Sequence, residues 1–181
     1  VSPNLQLTGA ISSAEIHQCQ LWAEDPNPLL VIKGGGFVDR TSVGLYTLKY
    51  MRELGIISKA GYWTEWDYVS NRKTLSSYED FAKKFKDDTL IEAFYDYERK
   101  FYGLEAREAL FVDCIGANQL WPSDFSPLVN LIRDRVYRPI SEAVWTVISV
   151  EENDFVSSNS FFMDLIQQRA DYVTEVRVGK G

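Results

Sequence analysis

From Ser76 to the end of the chain, helix start and stop signals follow one another so closely that helices should dominate the fold. Ser76 and Glu79 have the spacing of a capping box, in which each side chain satisfies a backbone N–H of the other. Asp88 is placed to cap a stretch carrying Ile91, Phe94, Tyr95 and Tyr102 that stops at Gly103, and Leu104 to Ile115 stops in turn at Gly116. Ser126-Pro127 sets a capping residue before a proline at the first helical position. It opens a segment through Leu131, Ile132 and Val136 that Pro139 should break into two helical pieces. Ser158 opens a last helix with Phe161, Phe162, Leu165, Ile166 and Arg169, after which Tyr172 to Val178 alternates and adds a short terminal strand.

The N-terminal third is mixed. Ser12 and Glu15 form a capping box ahead of Ile16, Cys19 and Ala23, and Asp25-Pro26-Asn27-Pro28 ends that helix. Leu29 to Ile32 is a short apolar run bounded by this turn and by Gly34-Gly35-Gly36, the pattern of a buried strand. Thr41 then caps a helix with Val43, Tyr46, Tyr50 and Leu54 that ends at Gly55. Tyr62 to Val69 alternates as a half-buried strand would, and Asn71 to Thr74 reads as the turn after it. The expected class is therefore α+β and predominantly helical. One domain spans residues 1–181, with a mixed subregion over 1–75 and a helical bundle over 76–181.

With 45% apolar and 25% charged residues the chain has the composition of a folded domain, and no window is apolar for long enough to cross a membrane. Val1 to Gly9 carries no signal-peptide pattern. The two cysteines, Cys19 and Cys114, stand in no metal-ligand spacing, which favours a reducing intracellular compartment, cytoplasm or organelle interior. No metal and no cofactor is expected. A net charge of −7 works against phosphate backbones and anionic membranes, so nucleic acid is disfavoured as a partner and other protein subunits are favoured.

Catalytic signals are sparse. The one histidine, His17, lies two residues from Cys19, and side chains two apart on a helix point away from each other. Cys114 sits beside Asp113, whose charge opposes thiolate formation. G-x-S-x-G, H-E-x-x-H and EF-hand patterns are absent. Glu65 with Asp67, and Glu151-Glu152 with Asp154, read as solvating acids of a strand face and a loop. No catalytic residue is assigned.

The chemical lead is Lys33, then Gly34, Gly35 and Gly36, then Arg40, Thr41 and Ser42 at the start of a helix. Strand, glycine bend and helix N-terminus together can turn backbone N–H groups toward a phosphate. The run does not match G-x-x-x-x-G-K-[ST] or G-x-G-x-x-G. It defines one alternative function, a small enzyme or binding module holding a phosphate-containing ligand. The helix from Thr41 to Leu54, then Gly55-Ile56-Ile57, Lys59 and Gly61-Tyr62-Trp63, resembles the recognition helix and wing of a winged-helix domain. That resemblance implies a nucleic-acid binder with Lys33, Arg40, Lys49, Arg52 and Lys59 gathered on one face. The face carries Tyr and Leu where a DNA reader carries Arg, Asn or Gln.

Aromatic residues make up 14% of the chain and crowd between Tyr62 and Tyr102. One interior rarely needs so many, so part of this set should be exposed. The leading expectation is a non-catalytic accessory subunit that docks on another protein through an aromatic surface of Trp63, Trp66, Tyr68, Tyr97 and Phe101.

Overall fold

The computed structural model describes residues 13–86, 88–105, 107–138, 142–167 and 171–179. Expectations for Val1 to Gly9, Ser12, Pro139 and Arg169 lie outside these residues. The elements run α1 (Ser13–Glu24), β1 (Leu29–Lys33), α2 (Phe37–Glu53), β2 (Ala60–Thr64), α3 (Glu65–Phe85), α4 (Asp88–Glu105), β3 (Ala109–Ile115), α5 (Pro122–Val136), β4 (Trp145–Val150), α6 (Asp154–Ser158), α7 (Ser160–Ile166) and β5 (Val173–Arg177). The five strands form one sheet in the order β2-β3-β4-β1-β5, and each neighbouring pair is parallel.

The expected helical bundle is thus replaced by an α/β fold with a central parallel sheet. Its cause is legible in β3 and β4. A parallel sheet covered by helices on both faces is apolar on both, so its strands are continuous apolar runs without alternation. Leu110 and Val112 pack on one face of the sheet, while Ala109 and Phe111 pack on the other, all fully buried. The span read as a helix from Leu104 to Ile115 is the end of α4, a connection and β3, and part of the segment beyond Pro139 is β4. Leu29 to Lys33 and Val173 to Arg177 do form strands, side by side.

One face of the sheet carries α1 and α2, with Cys19, Trp22, Val43 and Met51 against Leu30, Ile32, Phe111 and Val147. The other carries α3, α5 and α7, with Tyr68, Phe125, Leu128, Ile132 and Phe162 against Leu29, Val31, Val112 and Ile148. Helix α2 sits close to the sheet because residue 44 is glycine: a Cβ there would lie 2.3 Å from the Phe111 ring.

Several boundaries also differ from expectation. Strand β2 stops at Thr64, where Thr64 Oγ1 accepts from Asp67 N at 3.0 Å and Asp67 Oδ2 accepts from Thr64 N at 3.2 Å, a reciprocal cap that turns the chain into α3. Helix α3 then runs through Asn71 to Thr74 and past Ser76. Helices α6 and α7 are capped by Asn153, which accepts from Val156 N at 3.0 Å, and by Asn159, which accepts from Phe162 N at 2.9 Å.

Candidate functional site

Gly34 and Gly35 have φ of +78° and +56°, and a Cβ on them would lie 2.6 Å and 3.0 Å from the carbonyl oxygen of Val178. Left-handed backbone and close approach of the chain beyond β5 both require glycine here. Val178 N donates to Lys33 O at 2.7 Å and fixes that approach. Gly36 caps α2, and its N–H donates to Asp39 Oδ2 at 3.3 Å.

Arg40 folds back from the first turns of α2 into this bend. Its Nη1 donates to Gly34 O and Gly35 O, each at 2.9 Å, and its Nη2 pairs with Glu151 just beyond β4. The guanidinium is buried, and its Nε–H has no hydrogen-bond partner. A buried guanidinium N–H without an acceptor carries the full cost of its lost hydration, so an acceptor brought there would be stabilised.

Next to it stands Asp113, fully buried near the end of β3. Its Oδ2 accepts from Thr41 Oγ1 at 2.5 Å and from Tyr62 OH at 2.8 Å, and its Oδ1 accepts from Ser149 Oγ. Four separate elements meet on one carboxylate. Burial, and then the Asp113 carboxylate, push the Tyr62 phenol well above its ordinary range. Burial and the same carboxylate raise the Cys114 thiol in the same way, in keeping with a buried, inert cysteine.

Between the C-terminal ends of β1 and β4 opens a cavity of about 290 Å³, lined by Lys33, Val150, Glu152, Asn153, Val156 and Met163. These neighbouring strands send their onward helices to opposite faces of the sheet, α2 to one and α6 and α7 to the other. Such a crevice is where open α/β sheets take their ligands. Its rim is closed by ion pairs: Lys33 Nζ lies 3.4 Å from Glu175, and Arg177 holds Glu152 through both oxygens at 2.6 and 3.0 Å. That pairing keeps the Glu152 carboxyl below its usual range.

The anion-site residues proposed from sequence are therefore gathered in part. Gly34, Gly35, Gly36, Arg40 and Thr41 adjoin one another; Lys33 is tied to Glu175, and the Ser42 hydroxyl donates back to Val38 O at 2.8 Å. Among the aromatic set, Trp63, Tyr68 and Phe101 are buried and pack with ring centroids 5.3 to 5.8 Å apart, so these three rings line the core and not a docking face. Tyr97 donates to Asn71 Oδ1. Trp66 alone of the five is exposed. The sequence does not single out Asp113, Ser149, Glu151 or Tyr62 as site residues, because Asp113 falls within an expected helix and Glu151 within an expected solvated loop.

No protein-family model matches the sequence, and no curated protein is similar to it. Solved structures are similar in fold. Domain III of the replication initiation protein DnaA from Thermotoga maritima superposes with a TM-score of 0.56 at 15% identity, over 95% of this chain and 65% of that one. The DnaC helicase loader gives 0.55 at 15% identity, over 97% of this chain and 96% of that one. AMPPCP-bound DnaA from Aquifex aeolicus gives 0.56 at 12% identity, over 97% of this chain and 50% of that one. The chain therefore spans about half to two thirds of the two DnaA structures. Its fold is the fold of these structures, a parallel five-stranded sheet with helices on both faces.

Two expectations fall with this result. The docking subunit built on an aromatic surface is not what these likenesses support, and the rings that suggest it are largely spent on the core. The winged-helix resemblance fails on topology: the residues taken for a wing enter β2, which pairs in parallel with β3 and forms no hairpin with its predecessor. The view that nucleic acid is disfavoured finds no support in likenesses to replication proteins either. Net charge of a whole chain says little about a local surface. Among the described residues no helix is long and apolar enough to cross a membrane.

By sequence spacing, the bend also follows a known pattern in part. Counting from Gly34, Arg40 stands where G-x-x-x-x-G-K-[ST] has its lysine, Thr41 where it has its hydroxyl, and Asp39 where it has its second glycine. A phosphate fits the charge and the unpartnered Nε–H of Arg40. Asp39 and Glu151 compete with it for the Gly36 N–H and for the guanidinium.

Proposed function

We propose that this chain is a phosphate-ligand-binding module, taking the phosphates of a nucleotide at the Gly34–Gly36 bend. Arg40 is its charge partner, Thr41 its hydroxyl donor and Lys33 a cation at its edge. The observation that carries the reading is the buried guanidinium of Arg40, at the first turns of α2 beside a glycine bend, with its Nε–H lacking an acceptor. The likeness in fold to AMPPCP-bound DnaA and the crevice between β1 and β4 support it. Ser42, turned back on its own helix, is the weakest member of the set expected from sequence.

Binding exchanges one anion for another. Glu151 gives up Arg40 to the phosphate, and Asp39 gives up the Gly36 N–H. A nucleotide, when bound, supplies phosphate oxygens that accept from these donors. The likeness to a replication initiation protein and a helicase loader supports work in an assembly that starts DNA replication.

Thermal shift and calorimetry with ATP, ADP and pyrophosphate test this. A ligand at about 100 times its dissociation constant should stabilise the fold by roughly 2.7 kcal/mol. Arg40→Ala should abolish the effect, and Glu151→Gln, which removes the competing carboxylate, should tighten binding severalfold. An unshifted melting curve with all three ligands at millimolar concentration, in wild type and Glu151→Gln alike, rejects the proposal. For the replication setting, anisotropy with labelled single-stranded DNA and capture of a replicative helicase are the checks; neither binding would remove it.

A further inference from the structure

In P-loop NTPases the Ser or Thr after the lysine and an Asp from elsewhere in the sheet hold Mg²⁺ beside the phosphates. Thr41 and Asp113 occupy those places here, and they are already bonded to each other at 2.5 Å. Tyr62 OH donates to the same Oδ2 at 2.8 Å, while Ser149 Oγ donates to Oδ1. Both oxygens of Asp113 are thus engaged by hydroxyls from α2, β2 and β4, and the residue has no exposed surface. Mg²⁺ demands octahedral oxygen ligands at about 2.0–2.1 Å and keeps several of its waters. Asp113 is covered on all sides, although Tyr62 itself reaches the surface, so a hydrated Mg²⁺ would have to displace at least one of the groups packed over the carboxylate to reach it. Among the described residues no group of three or more His, Cys, Asp or Glu offers another cation site.

We infer that Asp113 is a hydroxyl hub closed to divalent cations, and that the phosphate ligand of this chain is bound without one. The role of cation beside the phosphates falls to the Arg40 guanidinium. The inference about the ligand rests on the phosphate reading above; the inference about Asp113 rests on its own geometry. Asp113 acts as a positioning residue. It ties Thr41, and through Thr41 the turn of α2 that carries Arg40, to β2, β3 and β4.

The test has two arms on the whole chain. In the first, free Mn²⁺ is followed by electron paramagnetic resonance as protein is added, in wild type, Asp113→Asn and Tyr62→Phe. No Mn²⁺ should be retained by any of them, while both variants melt several degrees lower than wild type and equally so with Mg²⁺ or EDTA. Mn²⁺ bound by wild type and released by Asp113→Asn overturns the hub; should that variant not fold, retention by wild type together with tighter retention by Tyr62→Phe does the same. In the second arm, ATP affinity is measured in EDTA and in Mg²⁺. Values within about twofold of each other support metal-free binding, and a gain of tenfold or more with Mg²⁺ overturns it. Loss of ATP binding in both buffers rejects the phosphate reading itself, and the Mn²⁺ arm still decides the role of Asp113.

Discussion

Glu65 and Glu152 respond to acid in opposite senses. Glu65 is fully buried and accepts from Gly116 N at 2.6 Å and from Asn118 N and Nδ2, each at 3.1 Å, which pins the connection after β3 to the start of α3. Burial outweighs these bonds and raises its pKa above the ordinary 4.5. The folded state then holds its proton more tightly than the unfolded one, so this group adds stability as pH falls from neutral toward 4.5. Glu152, held low by Arg177, contributes stability above the ordinary value of 4.5 and loses it as pH falls through the lowered value. Urea midpoints against pH should therefore rise and then fall on the acid side. Glu65→Gln should flatten the rise, and at neutral pH should cost about 1–3 kcal/mol, because one amide oxygen cannot serve three N–H donors. Glu152→Gln should remove only the fall. Glycines divide just as sharply. Gly34→Ala meets both a left-handed backbone and the Val178 carbonyl, and Gly44→Ala drives a methyl into the Phe111 ring. Each should destabilise by about 1–3 kcal/mol or more. Gly103 lies in α4, where an added Cβ would meet nothing within 4 Å, so Gly103→Ala should stabilise by roughly 0.5–1 kcal/mol. Chemical denaturation of the three variants separates these outcomes.

At the scale of elements, local signals were legible where the chain enters or leaves a turn, and obscure where it lies in the sheet. The run from Leu29 to Ile32 is bounded by two prolines and three glycines, which leaves little but a buried strand. The run from Ala109 to Ile115 has no such punctuation before it, and its apolar residues serve both faces of the sheet, so period alone could not tell it from a buried helix. Tyr62 to Val69 shows the opposite error: its alternation is real through Thr64, but the Thr64 and Asp67 pair starts a helix inside it. That pair is spaced as a capping box with Asp in the place of Glu, and was readable. Thr64→Ala should lower stability by about 1 kcal/mol, measured by urea unfolding. A shift within about 0.3 kcal/mol of zero would mean that packing alone sets this helix start. The candidate site suffered from the same blind spot. Gly34 to Ser42 were in view because a bend announces itself, whereas Asp113 and Ser149 became visible only once β3 and β4 were known to be strands.

For the whole molecule, the decisive missing information was which runs lie side by side. The crossovers that carry β2, β3 and β4 to one side of β1 and β5 to the other leave no trace in any local pattern, yet they bring Thr41, Tyr62, Asp113 and Ser149 to one point. Aromatic richness misled for a related reason. A sheet with two covered faces has two interiors to fill, and rings such as Trp63, Tyr68, Phe101 and Phe125 fill one of them. The contact of Val178 with the glycine bend links the earliest strand of the fold to the last. Opening that edge, for however brief a time, must expose the Val178 amide and loosen Gly34 and Gly35 in the same event. Hydrogen–deuterium exchange should accordingly find Val178 and the bend sharing a single protection level, which a ligand seated at Arg40 would raise for both at once.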